Sequence, residues 1–173
     1  MRIALIRNAV GAQYGAALKM LQGCIERAGR DEWLAPVGRF PFWHVAYHAL
    51  FTTDMYLSPE QKAFEPQPFH REGYNFLGPP PWAPRKRVLI DQPYDKPRLA
   101  GYVGTCRARA KAAVEGESDA VLAGPSGFHW LPFTRVELHL YNIRHLQHHT
   151  GQLAATLRRQ LGEGVPWSLS EPL

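Results

Sequence analysis

Eight histidines occur in the chain, and six of them fall on two segments of helical character. His44 and His48 lie on one segment, and His139, His145, His148 and His149 on the other, while His70 and His129 fall in loop-like stretches. Residues four apart on a helix share a face, so His145 and His149 project together. Their stripe reads Leu138, Asn142, His145, His149, Gln152 and Thr156, apolar at its start and polar in the middle. Polar groups that face a core are costly unless they find partners. A divalent metal ion is one such partner, because neutral imidazole nitrogen ligates zinc, nickel, iron or copper. The spacing is that of zinc-binding H-E-x-x-H helices, but Leu146 stands where a metalloprotease needs its glutamate. Taken alone, the pair is also the pattern of two surface histidines on a polar face, and His148 points about one residue-step further round the helix.

A third histidine from another helix changes the balance. His48 lies amid Val45, Ala49, Thr52 and Tyr56, the apolar side of its segment. Metal sites inside helical bundles are built from side chains on facing helices. Three protein ligands leave positions open for water or substrate, as catalytic sites require. The candidate ligands are therefore His48, His145 and His149. His44, one turn earlier, competes for the third place; His48 is preferred because it sits deeper, where packing can fix its ring. Ligating imidazoles must be deprotonated, so binding is expected to weaken near the ordinary histidine pKa of ~6.5.

Gln152 and Asn142 are candidates to orient a substrate or the ligating rings, although ordinary packing and helix polarity explain both as well. No carboxylate stands out as a general base. Asp54 is six residues after His48 and points off the ligand face, and Glu137 is better explained by capping. No catalytic residue is assigned. Missing a base favours direct metal–thiolate chemistry, or no chemistry at all.

Four helices are expected to position these residues. The first runs from about Leu5 to Arg27, with Tyr14, Leu18, Leu21 and Ile25 on one face and Gly29 as its C-cap. The second starts near Pro41 and covers Phe42 to Leu57. The third runs from Lys96 or Pro97 to Glu115, through Leu99, Tyr102, Val103, Cys106, Ala110 and Val114, and Gly116 ends it. The fourth opens at Thr134, which pairs with Glu137 as a capping box, and stops at Gly162 near Leu161. Between the second and third helices lies a long irregular span, about Ser58 to Asp95, in which Phe69, Tyr74, Phe76 and Trp82 are expected to pack down. So long a connection can travel back along a bundle and leave the next helix parallel, whereas a short one forces antiparallel neighbours. A second loop carries Gly124-Pro125-Ser126-Gly127, and Trp167 in the tail is expected to pack back. The fold class is thus all-α, a four-helix bundle with a long crossover between helices two and three.

Composition fits one domain over residues 1–173, with 45% apolar residues to fill a single core. No apolar run approaches the ~20 residues that span a bilayer. Arg7 and Asn8 interrupt the first apolar stretch, which makes a poor signal peptide. Cys24 and Cys106 are too few and too distant for a disulfide framework, and read as small helix-facing hydrophobes in a reducing cytoplasm. The formal charge of +5 permits nucleic-acid binding without requiring it. The one basic cluster, Arg85-Lys86-Arg87, reads as a solvated loop rather than a recognition surface.

Several of these residues together resemble the DinB/YfiT-like metalloprotein superfamily. They are His48-Ala49-Leu50 followed by Tyr56-Leu57, then His145-Leu146-Gln147-His148-His149-Thr150-Gly151-Gln152-Leu153, Leu157-Arg158-Arg159-Gln160, and Pro166-Trp167. The resemblance implies an up-down-down-up four-helix bundle with a metal, often nickel or zinc, on three histidines that map to His48, His145 and His149. It further implies a frequent homodimer. It points to transferases or isomerases that use a low-molecular-weight thiol such as bacillithiol, mycothiol or glutathione on a small-molecule substrate. A metal-dependent hydrolase is a variant of that expectation, and a non-enzymatic metal-binding stress or dimerisation module is the alternative.

Overall fold

A computed structural model describes residues 2–79 and 89–173 of the chain. It is mostly helical. In chain order the elements are α1 (Arg2–Arg27), a short α2 (Arg30–Leu34), a small hairpin of β1 (Pro36–Val37) and β2 (Phe40–Pro41), and α3 (Phe42–Leu57). A single 3-10 turn at Gln61–Ala63 follows, then α4 (Lys96–Gly116), a short α5 (Asp119–Ala123) and α6 (Arg135–Leu161). The four long helices are those the apolar periodicity predicts. The two five-residue helices and the hairpin were not foreseen, because elements so short carry no full period. Trp82 and the Arg85-Lys86-Arg87 cluster lie outside the described residues.

Local chemistry sets the helix ends. Asp95 accepts from Arg98 N at 2.8 Å and Pro97 follows in the first turn, which starts α4. Thr134 accepts from Glu137 N at 3.3 Å at the start of α6. Gly162 closes α6 with φ of +77°, its N–H returning to the Arg158 carbonyl. Gly29 does not cap α1 in this way. Its φ of −71° is extended, and its N–H donates to Glu32 Oε2 at 2.8 Å, so it opens α2 instead.

Every residue of α3 is buried except His48 and Met55. A helix apolar all round must be enclosed on all sides, and α3 packs on α4, α6, α2 and the hairpin. His48 and Met55 are two turns apart, so α3 is open along one line only. The order of contacts gives helix directions. Tyr14 meets His139, and Cys24 Sγ reaches Thr150 O at 3.9 Å, so numbering rises together along α1 and α6. It also rises together along α3 and α4, where Cys106 Sγ reaches Leu50 O at 3.6 Å and Arg109 pairs with Asp54 at 2.7 Å. It runs opposite along α3 and α6, where Asn142 Nδ2 donates to Thr53 O at 3.0 Å and Arg135 to Leu57 O at 3.1 Å. It runs opposite again along α1 and α4, where Arg7 donates to Glu117 O and Lys96 to Ala28 O at 2.6 Å.

The span after α3 is anchored by polar ties as well as rings. Tyr74 is buried and Phe69 packs on the core. The Tyr94 hydroxyl accepts from Arg71 N and donates to Phe69 O, both at 3.0 Å. Asp54, fully buried, accepts from Arg109 at 2.7 Å, Tyr102 at 2.8 Å and Gln67 at 3.3 Å, which joins α3, α4 and the crossover. The tail departs from expectation. Trp167 is 69% exposed, and Val165 is the buried tail residue instead, packed against Gly23. Glu171 then pairs with Lys19 at 2.8 Å, its carbonyl so close to Gly15 that a Cβ there would lie 2.0 Å away.

Arg135 closes the far end of the α3–α6 seam. Its guanidinium donates to the carbonyls of Leu57 at 3.1 Å and Ser58 at 2.9 Å, which no residue of α3 itself can satisfy, and pairs with Glu117 at 2.7 Å. Arg135→Met is expected to leave several buried carbonyls without donors and to remove the Arg135 partner of the Glu117 carboxylate, which keeps His139, and so to lower unfolding free energy by about 3 kcal/mol. Urea unfolding monitored by circular dichroism checks this; an unchanged midpoint would refute it.

Candidate metal centre

His48 projects from α3 into the seam with α6, where His145 and His149 meet it from one face of the facing helix. One nitrogen of each ring lies within 4.8 Å of those of the other two. Ring centroids are 5.0 Å apart for His48 and His145, 4.7 Å for His48 and His149, and 4.6 Å for His145 and His149. The shortest approach is Nε2 to Nε2 between His48 and His145, at 3.2 Å. No charge partner for the rings stands in the group, which among the described residues holds no carboxylate or cysteine.

Hydrogen bonds outside the cluster decide which nitrogens are bare. His48 Nδ1 lies 2.7 Å from the Asn75 carbonyl, which only accepts, so the proton is on Nδ1 and Nε2 carries a lone pair. His149 Nδ1 lies 2.9 Å from Gln152 Oε1, while the Gln152 amide faces His148 Nε2 at 3.2 Å. That amide orientation puts the His149 proton on Nδ1 too. Ligating histidines elsewhere are held the same way, by a carbonyl or carboxylate on the nitrogen that faces away from the metal. His145 Nδ1 is buried with no hydrogen-bond partner, and the Tyr141 ring stacks beside the His145 ring at 6.4 Å.

The environment keeps these rings neutral. Burial lowers the His48 pKa to about 4, against a smaller opposing effect of the Asn75 hydrogen bond. Burial, then the His48 and His149 rings, lower His145 to about 3. His149 falls to about 4 by burial and by His48. Neutral imidazoles are the form that ligates metal. The donor set, three nitrogens with two Nδ1 protons committed outward, fits a divalent ion of intermediate softness.

A comparison with protein-family models matches the DinB superfamily over residues 13–153. The chain belongs to the DinB superfamily. This is a metal-binding superfamily, and the three-histidine group is compatible with that property. Comparisons with curated proteins and with solved structures give no match.

The other sequence candidates of this DinB-superfamily chain separate clearly. His44 is fully buried and stands apart from the group, its Nε2 donating to the Tyr74 carbonyl at 2.8 Å. His148 is exposed and outside the converging group, its ring edge-on to His149 at 5.0 Å and its Nε2 facing the Gln152 amide. Gln152 lies against His149, whereas Asn142 ties α6 to α3 a turn away from the rings. Two further residues gain roles that the sequence pattern does not assign. Asn75 acts through its carbonyl, which no side-chain pattern reveals. His139 bonds Glu117 at 2.9 Å and Tyr14 at 3.2 Å. Burial pushes Glu117 up, but the hydrogen bonds of His139 and Arg135 outweigh it and hold its carboxyl below the usual range. The Thr134–Glu137 cap places His139 in the first turns of α6, a position that only the neighbouring end of α4 makes meaningful.

The lowered pKa values carry a sign. The unfolded chain binds protons near ~6.5 while the folded rings resist them, so their contribution to stability is full above ~6.5 and is lost as pH falls towards the folded values. Metal-free protein is expected to lose urea resistance between pH 7 and pH 5, and the His145→Ala/His149→Ala variant to lose less over the same interval. Equal pH slopes for the two proteins would contradict the burial of these rings.

Proposed function

We propose that this protein is a divalent-metal-dependent enzyme, a transferase or hydrolase of a small-molecule substrate, with the ion held by His48, His145 and His149. The observation that carries the metal is the convergence of three neutral imidazoles, two of them locked with Nε2 bare. Zinc or nickel suits an all-nitrogen set, whereas magnesium and calcium prefer oxygen. When bound, the ion supplies Lewis acidity that lowers the pKa of a coordinated thiol or water.

A low-molecular-weight thiol is the proposed cosubstrate. The chain offers no reactive thiol of its own: burial pushes Cys24 up to about 12 and Cys106 well above the ordinary range, and neither is exposed. The thiolate must therefore come from solution, and the lack of a carboxylate in the group favours direct attack by it over general-base hydrolysis. The chain's residues would hold and orient: Asn75 and Gln152 fix two rings, and Tyr141 packs beside the third. The absent base also supports the second reading, a non-enzymatic metal-binding or dimerisation module. An exchangeable water on the bound ion favours the enzyme; a closed four-ligand site favours the module.

The same proposal takes the four long helices as an up-down-down-up four-helix bundle, supported by the contact order along each helix pair. It takes the protein as a homodimer, supported by the family resemblance, and as cytoplasmic, supported by two free buried cysteines. No helix among the described residues is long and apolar enough to cross a membrane.

Protein purified without a histidine tag is expected to carry about one divalent ion per chain by elemental analysis, as a single tri-ligand site requires. His145→Ala/His149→Ala is expected to abolish this content and His148→Ala to keep it. In chelator competition, His48→Ala should lose more affinity than the ~10–100-fold typical of residues behind the ligands, and more than His44→Ala. Since burial already keeps the rings neutral, affinity should persist well below the ~6.5 of an ordinary histidine. Equal metal content in wild type and the double variant would end the proposal.

A further inference from the structure

Two consecutive carbonyls of the crossover each accept from a histidine of α3. His44 Nε2 donates to Tyr74 O at 2.8 Å, and His48 Nδ1 to Asn75 O at 2.7 Å. The local turns leave these carbonyls available. Tyr74 N bonds Arg71 O at 3.1 Å and Phe76 N bonds Gly73 O at 3.3 Å, with Gly73 at φ of +84°. Those bonds engage the carbonyls before Tyr74, so the next two face α3. The histidines are one helical turn apart, and each reads one carbonyl of the same turn.

We propose that His44 is a positioning residue of the metal centre: by holding the Tyr74 carbonyl it presents the Asn75 carbonyl to His48, which keeps the His48 proton on Nδ1 and its Nε2 lone pair on the ion. The inference rests on the metal reading above and adds how one ligand of that site is tuned. His44 itself has a single workable tautomer. Its Nδ1 is buried without any partner, so a proton moved there would find no acceptor while the Tyr74 carbonyl lost its donor. The ring is also fixed mechanically, against Trp43 at 5.3 Å and edge-on to Phe40 at 5.5 Å. Tyr74 is buried and Trp43 packs on it at 6.0 Å, so the carbonyl cannot turn to water without opening the core. A packing role alone would need only the ring; a positioning role needs the N–H.

Two variants separate these roles. His44→Phe keeps the ring volume and removes the donor, whereas His44→Gln keeps an N–H donor. The first readout is the nitrogen-15 tautomer signature of the histidines in metal-free protein. Wild type is expected to show His44 as Nε2–H and His48 as Nδ1–H, and His44→Phe to show His48 as a mixture of tautomers. The second readout is zinc affinity by chelator competition. His44→Phe is expected to bind zinc about 10-fold more weakly, in line with residues that orient metal ligands, and His44→Gln to recover most of the loss. His48 in one tautomer and wild-type zinc affinity in His44→Phe would overturn the proposal. So would His44 as Nδ1–H in wild type, a result that needs no variant and stands even if His44→Phe does not fold. If wild type binds no zinc, the metal reading fails, and the metal-free tautomers still decide whether His44 positions His48.

Discussion

Three imidazole rings pressed into one corner between α3 and α6 raise the cost of one another's protons, and much of the surrounding structure keeps them neutral and aimed. Burial disfavours the charged form of each ring, and the neighbouring rings add repulsion. Rings kept neutral near pH 7 leave lone pairs free to accept or to ligate. Two rings have already spent their N–H groups on Asn75 and Gln152, so what remains pointing inward accepts and does not donate. That arrangement is compatible with a ligand set.

The rings meet only because α3 and α6 are held in register along their whole shared length. At one end the three histidines face each other; at the other, Arg135 spans the last carbonyls of α3 and Glu117. Between them Asn142 bonds the Thr53 carbonyl. A shift of one helical turn would separate His48 from His145 and would strip Arg135 of its acceptors at once. Fold stability and site geometry therefore share the same contacts.

The crossover belongs to the site as much as the helices do. Its turns supply the carbonyls that lock His48 and His44, and its rings close over α3. A parallel arrangement of α3 and α4 requires a long connection, and the chain uses part of that length to line the corner where the three histidines meet.

The sequence by itself determined the local features. The four-residue spacing of His145 and His149 puts them on one face of any helix, and Asp95, Thr134 and Gly162 mark helix ends through contacts within a few residues. Pro41 stands at the N-cap of α3, and Ser58 closes it, its N–H returning to the Met55 carbonyl. Tertiary structure decided everything that needs a partner from elsewhere. His44 and His48 are one turn apart, so no periodicity distinguishes them, and the greater depth expected of His48 is reversed: His44 is fully buried and His48 only partly, yet the facing helix took His48 and a loop carbonyl took His44. Gly29 became the start of a short helix because Glu32 reaches back to it, and in the tail Val165, not Trp167, found a place against Gly23 of α1. Period and capping act within a turn or two of chain, whereas choice between equivalent residues is made by whichever distant group supplies the matching hydrogen bond or space.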